Sequence, residues 1–331
     1  MTAPVVFASV LGPLIRRYLD LKRALGRRAD SLQYVLAQLD RFLASRDAQD
    51  LDRETFAAWC SCFEHLAANT RRQRMRIVYQ LCLFRRREAP DCFVPDPSQF
   101  PPLQPWPLPH IFSEAEITRL LLAAEAFKSN APSPLHRPVA RLAITLLYTA
   151  GLRRGELARL TLGDYDATGH VLLIRETKFY KSRLIPLSAD ARVEIDRYLE
   201  QRLRPSLPGA ADAPLLLHHH GGLRSYTGTG LSSLVRKLIR TANIRTGAGR
   251  APRVHDLRFT FAVHALLRWY RAGVDVQARL PALSTYMGHS SLVSTQHYLV
   301  FFDAIAQAAS ERFDAHCAAF LPAVSLQGGD R

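Results

Sequence analysis

A dense run of prolines divides this chain into two parts. From Pro90 to His110 the sequence reads PDCFVPDPSQFPPLQPWPLPH. Proline fixes φ and lacks a backbone N–H, so such a stretch cannot continue a helix or a central strand. It favours an extended, semi-rigid linker between two domains, each with enough chain for its own core. The predicted boundaries are a first domain at 1–89, a linker at 90–110, a second domain at 111–322 and a flexible tail at 323–331.

Apolar residues repeat at helical spacing before the linker. Stripes that begin at Leu14, Leu32, Phe56 and Met75 predict a bundle of four helices. After the linker, Ser113 followed by Glu116 is a helix start with acids in its first turn. The predicted helices of the second domain are 114–127, 136–150, 154–161, 189–203, 229–242 and 256–272, with a further helix after 290 and a hairpin of strands 170–176 and 182–187. The predicted fold class is mainly α with a small β-sheet: a helical domain and a mixed α/β domain.

Positive charge indicates a polyanionic partner. The formal net charge is +15, and arginine supplies most of it, with a planar fork that suits phosphate. Arginines also crowd the start of the fourth predicted helix, where the helix dipole prefers acids. A surface that faces DNA explains this placement better than a solvated run of charge. The candidate DNA-binding residues there are Arg71, Arg72, Arg74 and Arg76.

Other features of the sequence indicate where in the cell the protein is located. No apolar run is long enough to cross a bilayer, and no basic region precedes the apolar residues of the N-terminus. An odd, scattered set of cysteines suits a reducing compartment rather than a disulfide framework. We therefore expect a cytoplasmic protein that is not attached to a membrane, and the positive charge suits association with a bacterial nucleoid.

Four separated segments of the second domain carry residues suited to phosphate chemistry. They read GLRRGEL at 151–157, TKFYKSRLIPL at 177–187, VHDLR at 254–258, and MGHSS at 287–291 followed by TQHY at 295–298. Each segment alone has an ordinary structural explanation, such as a helix joint, a basic turn or a helix cap. Their order is the informative feature. The candidate catalytic residues are Arg153, Lys178, His255, Arg258, His289 and Tyr298.

Together these segments resemble the tyrosine recombinases, also called the phage integrase family, from about Ile111 to Tyr298. The order Arg, Lys, His-x-x-Arg, His, Tyr is complete, and the first domain resembles the family's helical core-binding domain. The resemblance implies that Arg153 and Arg258 bind the non-bridging oxygens of a scissile phosphate. It implies that Tyr298 is the nucleophile of a 3′-phosphotyrosyl intermediate, and that Lys178 protonates the departing 5′-oxygen. His255 and His289 would hydrogen-bond the phosphate and assist proton transfer.

The physical chemistry agrees with these roles. A phosphodiester repels an oxygen nucleophile, and preorganised donors stabilise the charge that builds on its equatorial oxygens. At neutral pH a tyrosine phenolate costs roughly 4 kcal/mol, which neighbouring cations offset. One phosphodiester replaces another, so no energy source is needed. The sequence shows neither a phosphate-binding loop for ATP nor a clear cluster of acids for a metal, and we expect no cofactor and no metal.

The sequence departs from the family pattern in places. The hairpin commonly reads Gly-Lys-Gly, but here Thr177 and Phe179 flank Lys178, so Lys181 is an alternative catalytic lysine. Otherwise we expect Lys181 and Arg183 to contact DNA phosphate. The stretch between Arg258 and His289 is longer than usual, which resembles recombinases carried by transposable elements.

The expected partner is double-stranded DNA with specific recombination sites. The expected assembly is a homo-tetramer on two duplexes or a mixed assembly with related recombinases, in integration, excision or transposition of a mobile element. A type IB topoisomerase and a non-catalytic DNA-binding regulator with the same fold remain as alternatives. An apolar stripe that begins at Phe301 predicts a last helix, which docks on a neighbouring subunit or on its own domain. The target sequence, the spacer length and cleavage in cis or in trans stay open.

Overall fold

The computed structural model describes residues 6–27, 29–105, 107–128, 134–175, 182–219 and 222–288. Its described residues form two compact units, and the boundary between these units falls between Pro107 and Leu108. Among the described residues, helices are the main regular structure and are accompanied by small antiparallel sheets, so the predicted fold class is confirmed. Within the same residues, no helix combines the length and the apolar character that crossing a membrane requires.

The first unit is built from helices that lie where the apolar stripes predicted them. They are α1 (Gly12–Ala24), α2 (Asp30–Ser45), α3 (Arg53–Ser61) and α4 (Ala68–Arg85). Leu36, Leu39 and Leu43 on α2 and Leu81 on α4 are completely buried, so one face of each helix supplies the core. The side chain of Asp52 accepts a hydrogen bond from the backbone N–H of Thr55 at 2.7 Å and caps α3.

The proline-rich segment contributes more to the first unit than the predicted linker would. Phe100 is buried in the core of this unit, and Phe93 and Val94 pack against that core. The Asn69 side chain exchanges hydrogen bonds of 2.8 Å with both backbone groups of Gln104. The apolar side chains between the prolines therefore have a surface to bury against, and the segment is largely part of this unit.

The second unit is centred on a helix that is buried on most of its surface. This helix is α6, and its residues Val139, Ile144 and Leu146 have no exposed surface. The seven helices in the described part of this unit are α5 (Glu114–Glu125), α6 (His136–Thr149), α7 (Arg154–Ala158), α8 (Ala189–Arg202), α9 (Gly228–Thr241), α10 (Asp256–Arg271) and α11 (Val276–Met287). The start of α5 has the predicted capping box, because Ser113 Oγ accepts from the N–H of Glu116 and the Glu116 carboxylate accepts from the N–H of Ser113.

The sequence patterns did not predict α11. Pro281 lies inside this helix, and its apolar positions form no clean stripe. The side chain of Asp275 nevertheless starts the helix by accepting from the N–H groups of Gln277 and Ala278. Leu283 and Met287 then pack beside α10 in a small separate core. Tertiary packing therefore stabilises a helix whose local pattern is weak.

Two small sheets complete the second unit. The strands β1 (Tyr165–Asp166), β2 (Val171–Ile174) and β3 (Arg183–Pro186) form an antiparallel sheet in that order. The strands β4 (Leu217–His219) and β5 (Leu223–Ser225) form a second sheet. The predicted hairpin is present as β2 and β3, with Ile174 paired to Arg183. The pairs β1–β2 and β4–β5 involve strands of two to four residues, too short for an alternating pattern to reveal β1, β4 or β5.

Candidate active site

The joint between α6 and α7 depends on a glycine. Gly151 has a φ of +57°, a conformation that side chains disfavour. A Cβ atom at this position would lie 2.5 Å from Cδ1 of Phe261 on α10. The chain can therefore turn tightly against α10 only with glycine here. This turn sets Arg153 at the residue before α7.

Arg153 is held by a buried carboxylate one turn along the chain. Its Nη1 donates to Glu156 Oε1 at 2.7 Å, and its backbone N–H donates to Glu156 Oε2 at 2.9 Å. The side chain of Glu156 is 3% exposed and that of Arg153 is 34% exposed. The guanidinium thus has one edge fixed by an internal acid while part of it remains open to solvent. Such an arrangement can present positive charge to an anion without a search over side-chain conformations.

Arg258 lies in the first turn of α10 and is almost completely buried, with 1% of the residue exposed. Its Nη1 donates to the carbonyl of Gly151, and its Nη2 donates to the carbonyl of Met287. A buried guanidinium requires partners for its donors, and these carbonyls supply two of them. The arginine thereby joins α10 to the α6–α7 joint and to the end of α11.

The two arginines meet at the C-terminal end of α11. Arg153 Nη2 donates to the carbonyl of Gly288 at 2.9 Å, and Arg258 Nη2 donates to that of the preceding residue, Met287. Carbonyls at a helix C-terminus lack intrahelical partners and carry partial negative charge, so they attract cations. Gly288, with a φ of +64°, ends the helix in the left-handed conformation. The segment that carries His289 and Tyr298 starts directly after this point.

His255 immediately precedes α10, and part of the residue remains accessible to solvent. Its ring meets that of Phe259 edge-on, with the ring centroids 5.3 Å apart. Desolvation by the atoms around the ring, followed by the positive charge of Arg258, lowers the pKa of His255 to about 4. The neighbouring Asp256 opposes this shift, but less strongly. The imidazole is therefore neutral at neutral pH, with one nitrogen that can donate and one that can accept a hydrogen bond.

The structure brings three of the predicted catalytic residues into one region, namely Arg153, His255 and Arg258. The other three, Lys178, His289 and Tyr298, lie outside the described residues, as does Lys181.

Arg183 has a different environment from the one we expected. We predicted a surface residue that contacts DNA phosphate, but its side chain is only 10% exposed. It donates to both carboxylate oxygens of Glu156 and to the carbonyl of Tyr286. All three nitrogen atoms of its guanidinium group therefore bind internal acceptors. We therefore assign Arg183 to the interior of the site.

The arginines of α4 also differ among themselves. Arg76 is exposed, as a DNA contact requires. The Nη1 of Arg72 donates to the carbonyl of Pro101 at 2.8 Å, and the guanidinium of Arg74 lies 5.3 Å from the ring centroid of Phe63. Arg71 is half-buried. Arg76 thus remains the clearest candidate of this group, while Arg72 and Arg74 also serve contacts within their own unit.

Glu156 lies in the motif GLRRGEL, which by itself predicts no role for this residue. The carboxylate accepts hydrogen bonds from two arginines, Arg153 and Arg183. Burial alone would raise the pKa of Glu156, but the hydrogen bonds and charge of Arg183, followed by those of Arg153, lower it to about 2. The spacing of three residues between Arg153 and Glu156 was the available signal for one of these pairs. No comparable local signal marked the pair with Arg183.

Replacement of Gly151 by alanine is expected to destabilise the second unit by about 2–4 kcal/mol, because a side chain would adopt left-handed backbone and collide with Phe261. Urea unfolding measures the change. Gly247→Ala is the matched control, since a Cβ there meets nothing within 4 Å. Equal midpoints for the two variants would contradict the role given to Gly151.

The sequence profile of the phage integrase family matches residues 111–303, which is more than half of the chain. The chain therefore belongs to the phage integrase family. It is a site-specific DNA recombinase, an enzyme that breaks and rejoins DNA strands.

Similar proteins agree with this assignment. The putative integrase/recombinase y4rE of Sinorhizobium fredii is 32% identical over 309 residues, which cover 93% of this chain and 97% of that protein. The tyrosine recombinase XerD of Caulobacter vibrioides is 32% identical over 266 residues, 77% of this chain and 79% of XerD.

Solved structures share the fold. The Tn1549 transposon integrase in complex with transposon right end DNA has a TM-score of 0.61 at 20% identity, and the match covers 90% of this chain and 98% of that one. The XerH recombinase bound to a palindromic difH substrate, in a post-cleavage complex, has a TM-score of 0.60 at 18% identity, over 85% of this chain and 78% of that one.

Proposed function

We propose that this recombinase cleaves DNA by attack of the Tyr298 hydroxyl oxygen on a backbone phosphorus. A bond forms between that oxygen and phosphorus while the bond from phosphorus to the 5′-oxygen breaks. The products are a 3′-phosphotyrosyl linkage and a free 5′-hydroxyl. Attack by a 5′-hydroxyl of another strand then reverses the chemistry and joins the DNA.

The observation that carries this proposal is the meeting of Arg153 and Arg258 at the end of α11. The two side chains donate to the carbonyls of consecutive residues, Gly288 and Met287. Two fixed guanidinium groups near one point can hold the two non-bridging oxygens of a phosphate, and they stabilise the charge that builds there. The segment with the proposed nucleophile continues from that same point.

Proton transfer requires further groups. The tyrosine loses a proton as it attacks, and the leaving 5′-oxygen gains one. His255 is neutral at neutral pH and can exchange hydrogen bonds with the phosphate. We assign protonation of the 5′-oxygen to Lys178, with Lys181 as the alternative, and support of the phosphate also to His289.

For the biological reaction, we propose recombination of a mobile DNA element in the bacterial cytoplasm. Relatives named integrase or recombinase support this choice. A homo-tetramer on two duplexes, or a mixed assembly with related recombinases, would bring the exchanged strands together. Arg76 on the exposed face of α4 would contact DNA phosphate from the first unit.

The test uses a nicked duplex of a sequence that the protein itself selects from a random pool, with a chelator and no nucleotide. Cleavage at a nicked site traps the intermediate because the short fragment diffuses away. We expect a strand labelled at its 5′ end to become linked to protein, and a strand labelled at its 3′ end to be released free. Denaturing gels resolve the two outcomes.

Two results would overturn this mechanism. Linkage of protein to the 3′-labelled fragment would require a 5′-phosphotyrosyl bond. If cleavage required a divalent metal, the nucleophile would be a metal-activated water and not Tyr298. A second assay with two duplexes of different length tests strand exchange, since a topoisomerase would rejoin each duplex only to itself.

A further inference from the structure

Arg183 is the first residue of β3, shortly after the segment that carries both candidate lysines. Its side chain is 10% exposed although it is charged. A buried arginine is stable only when its donors have partners. The partners of Arg183 therefore indicate what it does.

Arg183 binds two different parts of the site at once. Its Nη1 and Nη2 donate to the two oxygens of Glu156 at 3.1 and 2.9 Å, which forms a bidentate ion pair. Its Nε donates to the carbonyl of Tyr286 near the end of α11 at 2.8 Å. Only the planar guanidinium fork can satisfy these three contacts together.

Glu156 connects Arg183 to the proposed phosphate-binding arginine. The same two carboxylate oxygens accept from Arg153, through Nη1 at 2.7 Å and through the backbone N–H at 2.9 Å. With both oxygens shared, the position of the carboxylate depends on both arginines. Without Arg183, the carboxylate would be free to follow Arg153 or to rotate away from it.

Gly288 shows that the approach of Arg183 to the end of α11 is close. A Cβ atom on Gly288 would lie 2.7 Å from Nη1 of Arg183. Arg153 donates to the carbonyl of this same glycine. The turn that leads into His289 is thus contacted by one arginine and bonded by another, and Glu156 links the two.

We propose that Arg183 is a positioning residue for cleavage, which holds Arg153 and the end of α11 in a fixed relation by binding Glu156 and the Tyr286 carbonyl together. This inference rests on the proposed function, because Arg153 acts on the phosphate and the segment after α11 carries Tyr298. Arg183 itself does not touch the reacting atoms.

The experiment compares Arg183→Gln with wild type on the nicked duplex described above. The readouts are the affinity for the duplex, the single-turnover rate of adduct formation at saturating protein, and the melting temperature. Rates are measured well below the melting temperature of each protein. We expect the maximal rate of Arg183→Gln to fall about 100-fold, which is the effect of displacing a catalytic group such as Arg153 by on the order of 1 Å. The affinity for the duplex should stay within about threefold of wild type.

Arg175→Gln is the matched control. Arg175 also pairs with a buried acid, Asp164, but it follows β2 and its own side chain is 59% exposed. This variant tests whether loss of any arginine partner of a buried carboxylate slows cleavage. We expect its single-turnover rate to equal that of wild type.

The outcomes distinguish a failure of this inference from a failure of the proposed function. A wild-type rate in folded Arg183→Gln, beside a normal adduct in wild type, overturns the positioning role alone. No adduct in wild type at the selected site overturns the proposed function and this inference with it. If Arg183→Gln does not fold, Arg183→Lys decides, because it keeps the charge but loses the fork. A slow, folded lysine variant supports the inference, and a lysine variant at the wild-type rate overturns it.

Discussion

Tyr298→Phe is expected to abolish the covalent protein–DNA adduct while the protein still binds its site. The substitution removes one oxygen, and that oxygen is the proposed nucleophile. Loss of a nucleophile typically lowers a rate by on the order of 10⁴-fold or more, which puts the adduct below detection on a denaturing gel. Affinity, measured by gel shift, should change little because the aromatic ring remains.

Tyr165→Phe is the control for this experiment. Its ring is half-buried, and its hydroxyl donates to Asp196 at 3.0 Å. Burial, and then the hydrogen bond to Asp196, raises the pKa of Tyr165 to about 12, which is opposite to the shift that an attacking tyrosine requires. We expect a normal adduct with this variant. An adduct that persists in Tyr298→Phe would place the nucleophile on another residue.

Arg258→Lys is expected to lower the single-turnover cleavage rate about 10³-fold, because an ammonium cannot reproduce two fixed donors on a phosphate whose charge increases in the transition state. Affinity should fall far less, since one phosphate contact among many is weakened. The substitution also weakens the hydrogen bonds to the carbonyls of Gly151 and Met287. Some loss of thermal stability should therefore accompany the loss of rate.

The chain offers a control that separates these two effects. Arg202 is completely buried, and it donates to the carbonyls of Pro208, Pro214 and Leu215. Arg202→Lys should thus lower the melting temperature to a similar extent without changing the cleavage rate of the folded protein. If both lysine variants slow cleavage equally, the effect of Arg258 is one of stability and not of catalysis.

Local patterns predicted much of the helical structure. Ser113 and Glu116 form the capping box that the sequence indicated, because capping requires only neighbouring residues. The stripes of the first unit likewise coincide with its helices, since one apolar face determines where each helix lies. By contrast, α11 escaped prediction because its stability comes from packing against α10 rather than from its own pattern.

Burial of side chains also decided that most of the proline-rich segment packs on the first unit. Among the described residues between α4 and α5, the only regular element is a single 3-10 turn at Pro97–Gln99, as the proline content predicts. Yet Phe93 and Phe100 pack on the first unit, and Asn69 binds the backbone of Gln104. Proline content describes which backbone conformations are open to a segment. It does not describe whether a hydrophobic surface is available for its side chains.

The sequence by itself determined the family, the order of the six candidate catalytic residues and the positions of most helices, because motifs and helical periodicity are local properties. Only the tertiary structure decided that Arg183 is internal and that Glu156 joins two arginines. The partners of Arg183 lie 27 residues before it and 103 residues after it. Whether a charged side chain faces solvent or a buried acid depends on such distant partners, and no spacing within one segment can reveal them.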